Sequence, residues 1–164
     1  MIGKLNSEQI EEVLRENVLG HLGCNDGVNT YVYPFNYLYD GKYITCHSQQ
    51  GFKMHVMRQN NRVCLQIDEV NNHKDWKSVM VLGEFEEVCD ERDYADAMTA
   101  FADRRLFLKI SESSISPRSY EPEMKMQLLK GDSKPSIFRI VISEKNGMFE
   151  NEWGCREDKF GLGL

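Results

Sequence analysis

YVYPFNYLYDGKYITCHSQQGFK, residues 31–53, is the stretch from which the fold of this chain can be read. Tyr31, Tyr33, Phe35, Tyr37 and Tyr39 alternate at the period that puts side chains on one face of a strand. Such a face builds a core or a dimer interface, with one or two rings left for ligand contact. Pro34 removes a ladder donor, so this strand, predicted over residues 29–39, should lie at an edge, be bulged or end there. Asp40-Gly41 turns the chain into a second strand, 42–48. A polar loop, His47-Ser48-Gln49-Gln50-Gly51, then opens a helix that starts at Gly51 or Phe52 and runs to Gln59, closed by Asn60-Asn61. A loop of this kind offers an anion unpaired backbone N–H groups, the positive end of the helix dipole and the nearby Lys53 ammonium. That arrangement suits the phosphate end of a nucleotide-like cofactor whose flat ring lies against the aromatic strands.

Outward from this stretch the pattern is of hairpins with few helices. Leu5, Ile10, Val13, Leu14 and Val18 fall near helical spacing behind a cap at Asn6 or Ser7. Residues 18–24 form a short strand that meets the hairpin signal Asn25-Asp26-Gly27. Residues 62–70 read as a strand with Val63, Leu65 and Ile67 on one face and Cys64, Gln66 and Asp68 on the other. A polar loop is expected over 71–75, and a further strand over 77–88 in which Gly83 marks a bulge or a close approach. Asp90 caps a longer helix with Tyr94, Ala97, Met98 and Phe101 in one stripe. Residues 111–136 carry three of the four prolines and are a candidate ligand-covering flap. Residues 137–143 form a clear strand, and 151–164 are expected to be a tail. Antiparallel hairpins of short strands, with flanking helices but few crossovers, predict a small β-barrel and argue against a doubly wound parallel sheet.

At 164 residues the chain fits one domain, with ordinary apolar (41%) and charged (28%) fractions for a soluble globular protein. The net charge of −6 argues against a general nucleic-acid binder. No apolar run approaches bilayer-spanning length, and the opening MIGKLNSEQIEEVL lacks a signal peptide's apolar core, so a cytoplasmic protein without membrane contact is expected. Five widely spaced cysteines without a C-x-x-C pair argue against a zinc ribbon and are expected to be reduced and mostly buried. Cys46 and His47, as neighbours on a strand, point to opposite faces and do not form a nucleophile pair. His21, His55 and His73 have no partner pattern, and Trp76 reads equally as an interface anchor or a locally packed loop residue.

In the order His47-Ser48, Gly51-Phe52-Lys53, Asn61-Arg62-Val63, then Ser78-Val79 with Gly83, the chain resembles the flavin-binding split-barrel family that includes the pyridoxamine-phosphate oxidases. It is most similar to the nitroimidazole-resistance branch. The resemblance covers about residues 8–88, and residues 137–143 with Glu144-Lys145-Asn146-Gly147 are similar to the family's last strand and turn. It implies an antiparallel split β-barrel, a single domain over 1–164, and FMN as cofactor, with FAD open. Ser48, Gly51 and Lys53 are implied at the flavin phosphate, and Tyr33, Pro34, Phe35 and Asn36 along the ring. His47 would face the ring and touch substrate as the catalytic proton donor. Ser78 and Val79 would approach from across a homodimer interface that holds the flavins. The oxidase branch carries an arginine just before its lysine, where this chain has Phe52, and its C-terminal Trp and Arg signature has no matching context here. The implied activity is an FMN-dependent oxidoreductase that reduces a small flat acceptor such as a nitroaromatic. A nicotinamide donor would visit only transiently, because no dinucleotide fingerprint is present. A flavin-binding module without turnover, or a haem-binding split barrel, is the alternative.

Overall fold

Strand β3 (Thr30–Tyr39) carries the aromatic alternation as expected: Phe35, Tyr37 and Tyr39 are buried, with Tyr31 and Tyr33 half-buried against the same cluster. This computed structural model describes residues 1–107 and 135–151. The expected flap over 111–136, apart from Pro135 and Ser136, and the expected tail beyond Asn151 lie outside the described residues.

In chain order the elements are β1 (Ile2–Lys4), α1 (Ser7–Glu16), β2 (Leu19–Asn25), β3, β4 (Tyr43–Ser48), α2 (Phe52–Gln59), β5 (Arg62–Asn72), β6 (Asp75–Glu87), α3 (Glu91–Phe107) and β7 (Ser136–Glu150). They build one antiparallel sheet in the order β1-β7-β4-β3-β2-β5-β6, and β6 also pairs with β7, which closes a barrel. The two tight hairpins form where they were expected. Asp26 Oδ1 accepts from the Val28 and Asn29 amides and Asp40 Oδ1 from those of Lys42 and Tyr43, while Gly27 and Gly41, each at φ 95°, supply the left-handed residue. Pro34 is tolerated because β4 pairs only with Tyr37–Tyr39 of β3, so the missing donor falls where β3 has a partner on one side alone.

Three expectations are corrected. The polar loop expected over 71–75 shrinks to the turn at residues 73–74: β5 runs to Asn72 and β6 starts at Asp75, with Lys74 N donating to Asn72 Oδ1 across the turn. Residues 144–147 do not turn. β7 continues to Glu150 because β6 pairs with it from Trp76 to Glu87 and because β1 zips to Met148–Glu150. β1 was not expected; three residues carry no periodicity, and it exists only through this long-range pairing. Cys24 and Cys46 are buried, but Cys64 is half-buried and Cys89 exposed.

The core lies inside the barrel and under α1 and α2. Leu22, Leu65, Ile67, Val79, Val81, Phe138 and Ile140 come from the strands, Val13 and Leu14 from α1, and Met54 and Met57 from α2. Each such side chain stabilises the fold by about 1.5–3 kcal/mol through removal from water. Asn6 and Gln9 form a capping box that starts α1. Gly83 sits at a register shift, and a Cβ there would lie 2.4 Å from the Val141 carbonyl, so both expected features, bulge and close approach, are present. Helix α3, capped by Asp90 Oδ1 at the Arg92 and Asp93 amides, packs Tyr94, Ala97 and Phe101 on Ile137 outside the barrel. Its Arg104 donates to the carbonyls of Arg15 (2.9 Å) and Asn17 (2.7 Å), a cation at the C-terminal end of α1.

Candidate functional site

The junction between β4 and α2 is held from several directions. Gln50 accepts from Arg58 Nη2 at 2.8 Å, and its amide nitrogen donates to Ser136 Oγ. Arg58 is itself bound by both carboxylate oxygens of Glu87, whose carboxyl is held below its ordinary range by those bonds. Ser48 is buried and donates to the Gln49 carbonyl. The Gln50–Ser136 and Arg58–Glu87 contacts join residues far apart in sequence, and no local pattern could have announced the part that Ser136 and Glu87 play.

At the start of α2 no side chain caps the helix and no acidic residue stands in its first turn. Gly51 is extended, and a Cβ there would meet nothing within 4 Å. The Lys53 ammonium lies 4.7 Å from the Phe35 ring centroid and 5.8 Å from that of Tyr33. Among the described residues no carboxylate forms an ion pair with it. Cation–π contact holds the charge at the barrel rim without neutralising it. The site therefore combines a helix start that no side chain caps with a cation, and repels no anion through an acid of its own first turn.

The other expected site residues divide between the two faces of the sheet. Tyr33 and Phe35 point with Lys53 toward the core side. Pro34, exposed, and Asn36, half-buried, point outward. Cys46 is buried inside, where complete burial pushes its thiol pKa well up and removes it as a nucleophile. His47 points the other way, beneath α3, with its ring edge-on to Phe101 at 4.8 Å. Ser78 is half-buried on β6 beside Gln66, whereas Val79 is wholly buried in the core, leaving only its backbone for a ligand. Trp76 lies on β6 and bonds Glu150 through its indole N–H. Among the described residues no group of His, Cys, Asp and Glu is placed to hold a metal ion, and no helix is long and apolar enough to cross a membrane.

A closed antiparallel barrel, with α1 and α2 packed on its core and α3 outside it, defines the split-barrel class. The match to the pyridoxamine 5'-phosphate oxidase family spans residues 6–127, and the chain belongs to that family. It is 33% identical over 84 residues to an uncharacterized protein of Rhizobium meliloti (strain 1021), a match covering 51% of this chain and 56% of that relative, so it spans little more than half of that relative's length. Among solved structures it is similar to an FAD-binding protein from Mesorhizobium loti, at 25% identity and TM-score 0.70, covering 92% of this chain and 99% of that one. A candidate 5-nitroimidazole antibiotic resistance protein from Bacteroides thetaiotaomicron (20% identity, TM-score 0.65, 91% and 87% covered) shares the fold. So does an FAD-binding protein from Mycobacterium smegmatis (18%, 0.59, 91% and 97%).

Proposed function

We propose that the protein binds a flavin at the β4–α2 junction as a homodimer and passes electrons from it to a small flat acceptor such as a nitroaromatic. The observation that carries this reading is the uncapped, acid-free start of α2 with the Lys53 ammonium beside it, which has no carboxylate partner among the described residues. Family membership and the FAD-binding relative support it.

The donor set fits the group. Lys53 and the amides from Ser48 to Gly51 take the phosphate, and the open space at Gly51 lets backbone approach it. The core side of β3 is filled, since Phe35 is 4% exposed and Tyr37 1%. A flat ring therefore lies along the outer side, over Pro34 and Asn36, while Tyr33 and Phe35 position the ammonium. A bound flavin supplies hydride or electron transfer at its ring. The chain orients that ring, excludes water from one side of it, and carries a proton on the imidazole of His47, which shares the outer face with Asn36. Helix α3 packs on Leu38 of β3 and Ile137 of β7, while the rest of the outer face, across β3, β2, β5, β6 and β7, carries exposed apolar side chains among the described residues. On it lie Val32 (62% exposed), Leu19 (52%), Met80 (38%) and Met148 (48%). A second copy covers that face and brings its own Ser78 and the backbone at Val79 toward the ring.

The test is spectroscopic. The purified protein is expected to show flavin absorbance, to be reduced by NADH or NADPH, and to be reoxidised by a nitroaromatic acceptor. Bound flavin that neither donor reduces leaves a carrier without turnover, and a Soret band in its place sinks the flavin reading. His47→Ala is expected to keep flavin and lose turnover.

A further inference from the structure

We infer that the exposed ring of Phe52, braced by Tyr31, seats a purine, so that the chain takes FAD in preference to FMN. This rests on the flavin reading above. Phe52 is 57% exposed, whereas Phe35, Phe85, Phe101 and Phe138 are buried and Phe149 is half-buried. Its ring does not hang loose. It stands edge-on to Tyr31, with centroids 5.2 Å apart and planes at 86°. Tyr31 in turn lies nearly parallel to Tyr33 (14°) and donates its hydroxyl to Asp26 Oδ2 at 2.8 Å. Asp26 is fixed by the amides of Asn29 and Val28, bonds that hold its carboxyl below its ordinary pKa. An aromatic surface held this firmly in water is preorganised for a flat partner.

Its position says which partner. Phe52 stands between Gly51 and Lys53, at the proposed phosphate site. FMN ends at its phosphate and leaves the Phe52 ring in water. A flavin dinucleotide continues through a second phosphate and a ribose to adenine, whose π-face stacks on a phenyl ring and whose uncharged base asks for no further cation. The same residue explains the missing arginine. Where a second cation would grip a terminal phosphate dianion, this chain offers a stacking surface for the base of a nucleoside joined through the pyrophosphate.

Calorimetric titration of the apoprotein with FMN and with FAD tests this. The wild type is expected to bind FAD about tenfold or more tightly than FMN, the range that base–aromatic stacking supplies. Phe52→Ala is expected to abolish that difference while shifting FMN affinity by less than about twofold, and Phe52→Trp to restore it. Equal affinities in the wild type, or equal losses of both flavins in Phe52→Ala, overturn the inference and leave the flavin reading standing. An equal loss accompanied by dissociation to monomers would assign the ring to a subunit contact instead. A folded apoprotein that binds neither flavin overturns both readings together.

Discussion

Arg58 grips both carboxylate oxygens of Glu87, through Nε at 2.8 Å and Nη2 at 2.6 Å, and is thereby withdrawn from any anion at the other end of its helix. Lys53 is left as the cation of α2 without a carboxylate partner among the described residues. Lys53→Ala should therefore weaken flavin binding about 10- to 100-fold, the scale of a charge-assisted hydrogen bond, with the far-UV circular dichroism unchanged. The affinity should also lose much of its salt dependence. Arg58→Ala is the contrasting variant: it should lower the melting temperature and leave most of the affinity in place. A Lys53→Ala protein that purifies with a full complement of flavin would falsify the phosphate assignment.

The contact between α1 and the barrel predicts a stability plateau in pH. Lys145 and Tyr39 both bond Glu11, and Arg15 joins from the next turn. Burial works against both charges, but the hydrogen bonds outweigh it and hold Glu11 below and Lys145 above their ordinary values. The Glu11 contribution is complete above its unfolded pKa, about 4.3, and is lost as pH falls through the lower folded value. That of Lys145 is complete below about 10.4 and is lost as pH rises through the higher folded value. Glu11→Gln should cost about 1–2 kcal/mol at neutral pH, discounted for partial exposure, and progressively less at a second, acid pH as the carboxyl protonates through its lowered folded value. Denaturation curves at the two pH values decide it, and a constant difference would show that charge is not the cause.

Gly83 predicts a stability loss without any loss of chemistry. A methyl group there would meet the Val141 carbonyl oxygen at 2.4 Å and Ile140 Cγ2 at 2.7 Å. The carbonyl belongs to a strand held by β6 itself, so relief requires the β6–β7 ladder to spread. Gly83→Ala should cost about 1–3 kcal/mol in urea unfolding. A variant as stable as the wild type would mean that the two strands leave room there for a methyl group.

These three sites differ in how far the residues alone announced them. Lys53 and Gly83 were legible because a helix start and a glycine within a strand are local signals, read from a few neighbours. The hairpins at Asp26 and Asp40 were legible for the same reason. The full length of β7 was not. Glu144-Lys145-Asn146-Gly147 has turn composition, and only the partners on both sides, β6 and β1, keep it extended. The division of the site was half legible. Strand alternation separates Tyr33 from Pro34 and Cys46 from His47, yet nothing local says that α3 would return to lay Phe101 on His47. Arg58, Gln50, Ser136 and Glu87 meet only because the barrel closes.

The exposed apolar residues of the outer face lead to the last prediction. Val32 stands opposite Gly23 on β2, which stands opposite Cys64 on β5, which stands opposite Leu82 on β6, one row across the sheet; Pro34, His21, Gln66 and Met80 form the next. Both rows mix apolar with small or polar groups and carry few charges, the composition of a contact rather than of a solvated surface. A charge placed in each row should be tolerated by the monomer, whose core lies on the other side, and should oppose association, because a desolvated carboxylate without a partner is costly. Val32→Glu and Met80→Glu are thus expected to lower the molar mass by light scattering from twice the chain to the single chain, with the melting temperature taken at matched oligomeric state. Flavin affinity should fall with dimerisation if Ser78 of the second copy reaches the ring. Variants that remain dimeric would move the contact elsewhere on the barrel, and monomers that retain flavin at wild-type affinity would confine the site to one chain.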